Sequence, residues 1–467
     1  MNLYEDLATQ LKDNIRQGVY PPGERVPSVR RLSERQGVSQ ATVVAAYRLL
    51  ESHGWLEARP QSGFFARHPE SVPPPARGTE ASEGPCAVNV TELAVRLSRN
   101  TQRSDLVSFG AAVPHADFLP LKDLRASLNR SLRGIDDVGS RYSFPPGEEV
   151  LRQRIARRAA EYGCHFGPDD IVITDGCQEA LNLALRAVAR AGDIVAIETP
   201  AFFGTLQAIE SLGMQALEIP SDPDTGLSLD ALTLALDRWP VQAVVTVSNF
   251  SNPTGSLMPD SHKSKLVKML AARGIPLIED DIYGDLAHGR DRPRAAKAYD
   301  RDGNVLLCSS FSKTIAPGYR VGWLAPGRWH RQVEHLKYVS TMANATLTQL
   351  AVADYLSESR YERHLVRVRR IYADNLARMQ AAIARWFPDG TRTSRPVGGF
   401  VLWVELPEGS DTMALYEKAL AAGISFTPGR LFSPQDKYGN CLRLAAALPW
   451  GARVESALME LGKLTGR

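Results

Sequence analysis

The sequence predicts a small, mainly α winged helix-turn-helix joined to an α/β body, with a small α+β unit closing the chain. Three observations predict it. Apolar residues recur at helical spacing through the first fifty positions and then give way to two short strand-like runs. A stretch rich in Pro, Gly, Ser and Glu, residues 69–90, has no hydrophobic periodicity and reads as a semi-extended linker. Beyond it, short β-branched runs alternate with helical stretches, the pattern of a largely parallel sheet covered on both faces. The boundaries expected are 1–68 for the head, 69–90 for the linker, 91–384 for the large body and 385–467 for the C-terminal unit.

Within the head, Leu3, Leu7, Leu11 and Ile15 mark one face of a first helix, and Gly18 ends it. Pro21-Pro22-Gly23 makes a turn. Ser28 is placed to cap a second helix through Val29 and Leu32 to Gly37. Ser39 caps a third, with Val43, Ala46, Tyr47 and Leu50 inward. Trp55–Ala58 and Phe64–Ala66 are expected as short strands around Arg59-Pro60-Gln61-Ser62-Gly63, the wing.

In the body, strands are expected at Ile171–Thr174, Ile194–Ile197, Ala243–Val247, Pro276–Ile278 and Val305–Leu307. Phe400–Leu406 and Leu442–Ala445 are the strands of the last unit. Ligands of open α/β sheets sit at the carboxyl ends of strands, and the notable polar groups fall there. Asp175-Gly176-Cys177-Gln178 follows the first run and opens a helix, Glu179–Arg190, whose free N–H groups suit a phosphate. Phe202 follows the second, Asn252 the third, Asp280 and Tyr283 the fourth, Ser310 and Lys313 the fifth.

These groups suit one cofactor, pyridoxal phosphate. Lys313 offers an amine that condenses with an aldehyde once its surroundings deprotonate it. Asp280 can hold a pyridine nitrogen protonated. Tyr283 and Asn252 can hydrogen-bond a phenolate oxygen, and Phe202 offers a ring face. Ser310, Arg320 and the Gly176-Cys177-Gln178 helix start can hold the phosphate. Arg443 suits bidentate capture of a carboxylate.

The spacing resembles the fold-type I aminotransferases over roughly residues 105–465. The carrying motifs are Tyr142-Ser-Phe-Pro-Pro-Gly, Ser251-Asn-Pro-Thr-Gly255, Asp280-x-x-Tyr283, Ser310-Phe-Ser-Lys313 and the Arg443 segment. The resemblance implies that Lys313 carries the cofactor and that Tyr142 reaches the phosphate of a neighbouring subunit, hence a homodimer. The head closely resembles the GntR winged helix-turn-helix. It does so through Val26-Pro-Ser-Val-Arg30-x-Leu32, Gly37-Val-Ser-Gln-Ala-Thr-Val43, Tyr47-x-x-Leu50 and Gly54-Trp-Leu56. In this reading Ser39, Gln40 and Thr42 open the recognition helix, where base edges of an operator are read. Arg30, Arg48, and Arg59 with Gly63 at the wing, meet the duplex. Gln40 stands where that family often has Arg. Head and body together resemble the MocR subfamily of GntR regulators.

Composition limits the alternatives. The chain has 467 residues and a net charge of +3, and the head alone carries 9 Lys+Arg against 7 Asp+Glu, so layout rather than bulk charge argues for DNA. Five scattered cysteines without CxxC and nine histidines without HExxH argue against a disulfide framework or a metal site. No apolar run spans a bilayer and no leader is evident, so a cytoplasmic protein is expected. The leading expectation is a DNA-binding transcription regulator that senses an amino compound, or pyridoxal phosphate itself, through its body. The alternative is an active aminotransferase with an accessory DNA-binding head.

Overall fold

A computed structural model describes residues 3–16, 19–21, 23–52, 55–59, 62–67, 72–100, 103, 105–133, 140–357 and 359–466. Gly18, Pro22, Gly54, Pro60, Gln61 and the expected boundary at 68 lie outside the described residues. The chain divides into two compact units, Met1–Val72 and Pro73–Arg467.

The first unit is built from α1 (Leu3–Arg16), α2 (Val29–Gln36), α3 (Gln40–Ser52) and an antiparallel hairpin of β1 (Leu56–Arg59) and β2 (Gly63–Ala66). Leu7, Leu11 and Ile15 pack with Leu32, Val43, Ala46, Tyr47 and Leu50 in one core. Leu3, in the first turn, is instead 61% exposed. The Ser28 side chain caps α2 by accepting from the Arg31 N–H, and Gly37 ends it at φ 63°, a left-handed conformation that glycine adopts without strain. Tyr47 ties the pieces together. Its hydroxyl donates to the Pro27 carbonyl at 2.6 Å, and its ring meets Phe64 of the hairpin edge-on at 4.9 Å.

The second unit holds a mixed sheet in the order β3 (Cys86–Ala87), β7 (Gln215–Asp222), β6 (Ile194–Thr199), β9 (Val241–Thr246), β10 (Leu277–Asp280), β11 (Val305–Ser310), β12 (Gly322–Ala325), β5 (Val172–Thr174). β7, β6, β9, β10 and β11 run parallel; β12 is antiparallel to both its neighbours. A short β8 (Gly226–Leu227) pairs with β7. β7 and β12 are among the strands that went unread. β7 carries Glu218 and Pro220 in its middle, and the buried Glu218 pairs with Lys437 at 2.8 Å and accepts from the Thr199 hydroxyl at 2.8 Å. β12 is only four residues long and begins at Gly322.

Residues 73–90 belong to the segment 69–90 expected as a linker without a core of its own. They lie along the body instead: β3 pairs with Gln215–Ala216, the Ala76 N–H donates to the Thr393 carbonyl, and Val88 and Val90 are buried. Intermittent small apolar residues, too sparse to show a period, are enough to lay an extended segment on an existing surface. The chain continues into α4 (Thr91–Asn100), whose first turn is held by the Glu210 carboxylate accepting from Val90 N–H, Thr91 N–H and the Thr91 hydroxyl at 2.9–3.0 Å.

The C-terminal sheet runs β13 (Arg392–Thr393), β14 (Val401–Glu405), β17 (Cys441–Ala445), β16 (Thr427–Pro428). Earlier residues join this region, since β4 (Val107–Ser108) pairs in parallel with β15 (Ile424–Ser425). The long helix Arg360–Trp386 buries Tyr361, His364 and Leu365 near its start and Ala382 and Ile383 near its end.

Candidate functional site

The carboxyl ends of β5, β6, β9, β10 and β11 open onto a cavity of about 230 Å³. Cys177, Gln178, Phe202, Asn252, Asp280, Tyr283, Ser310, Lys313 and Arg320 line it. The strand ends set which way each carboxylate faces. Asp280 borders the cavity; its neighbour Asp281 points away, into an ion pair with Arg292 and a 2.8 Å hydrogen bond from Asn249 Nδ2.

Asp280 accepts from the Cys177 thiol at 3.3 Å and from the Ile282 N–H at 3.1 Å. Burial nevertheless pushes its pKa up to about 6, with those two hydrogen bonds opposing. The Lys313 amine donates to the Ala112 carbonyl at 2.6 Å and stands 5.9 Å from the centre of the Tyr283 ring. Burial, helped by the Arg443 charge and opposed by Asp280, pulls its pKa down to about 8. The Tyr283 hydroxyl is buried without a hydrogen-bond partner among the described residues.

Arg443 sits behind the cavity wall, 1% exposed. Nη1 donates to Asn252 Oδ1 at 3.1 Å; Nη2 donates to Thr427 Oγ1 at 2.9 Å and to the Gly110 carbonyl; Nε has no partner among the described residues. All these acceptors are neutral. Burial pulls its pKa down to about 10.

The end of the cavity where a phosphate was expected is shaped by backbone. The helix begins at Cys177, two residues earlier than expected, and ends at Val188. Gly176 is its N-cap at φ 85°, and a Cβ there would come within 2.5 Å of the Arg320 guanidinium. The Ser310 hydroxyl accepts from the Ser312 N–H at 3.3 Å. Gln178 donates to the Gly204 carbonyl at 2.8 Å. Tyr142 stands apart from the cavity: it is 67% exposed, with its ring 5.5 Å from Phe144.

Two contributors were missed. The Ala112 carbonyl acts through backbone 201 residues from Lys313, which leaves no mark in the sequence. Glu198, 5% exposed, accepts from the Ser251 hydroxyl at 2.9 Å and the Val247 N–H at 3.0 Å, bracing the loop that presents Asn252. Its signal was legible: an acidic residue inside an apolar strand.

On the head, Gln40 and Arg48 of α3 are exposed. Ser39 caps α3, accepting from the Thr42 N–H at 3.1 Å, with its hydroxyl 2.8 Å from that of Thr42. Arg30 is exposed but paired with Glu34 at 3.0 Å. Arg59 pairs with Glu57 at 3.3 Å and lies 4.3 Å over the Phe65 ring. Gly63, at φ 98°, leaves room for the Arg25 guanidinium beside the hairpin.

Residues 105–458 match the family model for aminotransferase class I and II, and residues 3–66 match that for bacterial regulatory proteins of the gntR family. The HTH-type transcriptional regulator YjiR of Escherichia coli (strain K12) is 40% identical over 467 residues, covering 100% of this chain and 99% of that one. The chain belongs to the MocR subfamily of GntR transcription regulators. Its body is also 31% identical to a 2-aminoadipate transaminase of Thermus thermophilus, over 79% of this chain and 92% of the relative. Among solved structures, the multiple substrate aminotransferase of Thermococcus profundus superposes with a TM-score of 0.74 at 26% identity, covering 83% of this chain and 95% of that one. In this MocR protein the GntR domain is the DNA-binding part, and the body has the fold-type I aminotransferase architecture.

The fold and family imply pyridoxal phosphate as the cofactor, and the residues present fit it. Tyr283 offers a buried hydroxyl lacking a partner among the described residues, Asp280 a buried carboxyl suited to a cationic ring nitrogen, and Gly176 a helix start with no side chain in the way. When bound, the cofactor supplies an aldehyde for an amine and a ring that withdraws electrons. Near its lowered pKa, Lys313 can take or give up a proton at Nζ close to neutral pH.

Proposed function

We propose that this MocR protein is a homodimeric, cytoplasmic regulator whose operator binding responds to an α-amino acid captured in the body. Lys313 carries the cofactor, Asp280 pairs with its ring nitrogen, and Tyr283 and Asn252 meet its phenolic oxygen. Ser310, Arg320 and the Gly176-Cys177-Gln178 helix start hold its phosphate, Phe202 stacks on its ring, and Tyr142 serves the partner subunit's cavity. Arg30, Ser39, Gln40, Thr42, Arg48, Arg59 and Gly63 form the operator-facing surface.

The observation that carries the ligand assignment is Arg443. A guanidinium almost wholly buried, hydrogen-bonded only to neutral acceptors among the described residues, lacks a counter-charge. Burying such a charge is costly unless an anion joins it. A ligand carboxylate beside Arg443 and a ligand amine near Lys313 meet both needs. Occupancy alters DNA affinity only to the extent that the ligand binds one arrangement of the protein better than another.

The test is a spectroscopic titration of the cofactor-loaded protein with amino acids, with operator affinity and keto-acid release followed in parallel. A band shift with altered operator affinity and no accumulating keto acid supports a sensor. Keto acid released over many cycles with operator affinity unchanged overturns that reading in favour of a working aminotransferase.

A further inference from the structure

A second cavity, of about 220 Å³, adjoins the first and shares Ala112, Val113, Phe202 and Lys313 with it. Its other walls are mostly apolar: Leu97 of α4, Phe203, Phe426 and Leu431. The polar groups on it are already hydrogen-bonded within the protein. The Ser98 hydroxyl donates to the Val95 carbonyl, the Tyr416 hydroxyl accepts from Asn100 Nδ2, the Ser425 hydroxyl donates to that of Ser108, and the Thr427 hydroxyl joins Arg443 to the Gly110 carbonyl. Lys313, at the shared mouth, is the one charged residue among the described lining.

We infer that this second cavity receives the effector's side chain and selects an apolar one, aromatic or branched aliphatic. The inference rests on the reading that Arg443 takes the effector's carboxylate. Gly110 and Thr427, which Arg443 contacts, line the second cavity, while its other partner, Asn252, lines the first. An α-carbon held between Arg443 and Lys313 therefore directs its substituent toward Leu97, Phe203 and Phe426. Apart from Lys313 at the mouth, which carries the cofactor on this reading, the described walls offer no counter-charge, so a carboxylate or ammonium on that substituent would be desolvated unpaired. A hydrocarbon substituent gains burial instead. The cavity has room for an aromatic ring.

The experiment is calorimetric titration of the full-length, cofactor-loaded protein with L-phenylalanine, L-leucine, L-alanine, L-glutamate and L-lysine. L-phenylalanine or L-leucine is expected to bind at least about tenfold more tightly than the other three, since a methylene or two in a fitted apolar pocket contributes that much discrimination. Equal or tighter binding of L-alanine, L-glutamate or L-lysine overturns the inference. Should L-glutamate bind best and still alter operator affinity, the sensor reading stands and the side-chain assignment falls. If no member of the panel binds, both fall. In a folded Leu97→Arg variant, L-glutamate is expected to gain and L-phenylalanine to lose; an unchanged order also overturns the assignment. Should that variant fail to fold, the panel on the unaltered protein decides alone.

Discussion

The Cys177 thiol donates to Oδ1 of Asp280 across 3.3 Å, tying the first residue of a helix to the last residue of β10. Two walls of the candidate cofactor cavity are thus linked by one side-chain contact. Cys177→Ala removes the donor and leaves Asp280 less stabilised as a carboxylate. Cofactor retention should weaken by about 1 kcal/mol, roughly fivefold, as for a single lost hydrogen bond. Absorbance after serial dilution measures it, and undiminished retention would show the contact to be incidental.

Asp280 itself sets a pH dependence. Its pKa is raised from 3.8 to about 6 by burial, so between those values the cofactor-free native state holds a proton that the unfolded chain has lost. That contribution is full below pH 4 and lost as pH rises through 6. Asp280→Asn should flatten this fall by about 2–3 kcal/mol. Urea midpoints of both proteins at pH 4 and pH 7 supply the comparison; parallel curves would contradict it.

For Lys313, the sign concerns reactivity. The amine is neutral above about pH 8 rather than above its ordinary 10.5, so cofactor capture should accelerate as pH rises through 8. Arg443→Met removes a cation that helps to lower this pKa, and the midpoint should move upward. Stopped-flow absorbance follows both. Lys313→Ala should retain no cofactor after borohydride treatment, checked by mass.

Arg30 and Glu34 form an exposed pair at 3.0 Å. If Arg30 meets a phosphate, Arg30→Ala should reduce the slope of log affinity against log salt by about 0.9. Glu34→Gln should tighten operator binding slightly, by well under 1 kcal/mol, because such surface pairs are weak. Fluorescence anisotropy across a salt series measures both, and an unaltered slope removes Arg30 from the interface.

Gly322 lies so close to Gly176 that a Cβ on it would come within 2.5 Å of the Gly176 carbonyl carbon. Backbone cannot yield as a flexible side chain does. Gly322→Ala should cost about 1–3 kcal/mol of stability and disturb cofactor retention as well. Thermal unfolding and cofactor absorbance test the two effects together.

What could be read in advance was what local pattern encodes. Helical spacing located α1, α2 and α3, although Leu3 showed that a matching residue at a helix end need not be covered. Strand ends were legible because β-branched runs stop abruptly before polar residues, and this gathered Asn252, Asp280, Tyr283, Ser310 and Lys313 in one place. The Asp280-x-x-Tyr283 spacing singled out Asp280, and the structure turns its carboxylate and that of the adjacent Asp281 to different surroundings. Contacts made by backbone, such as Ala112 with Lys313, carry no residue signature. Nor do contacts made by a segment whose partner lies more than a hundred residues away, such as Cys86 with Ala216.

That last pairing bears on where the protein can be cut. Composition places the start of the body at residue 91, and a fragment begun there would lose β3, Val88, Val90 and the backbone N–H that Val90 gives to Glu210. It would also bare the Gln215–Ala216 edge, and an unpaired strand edge invites pairing with other chains. A fragment begun at Pro73 keeps its own edge guard and is the piece to prepare when the body is wanted without its head.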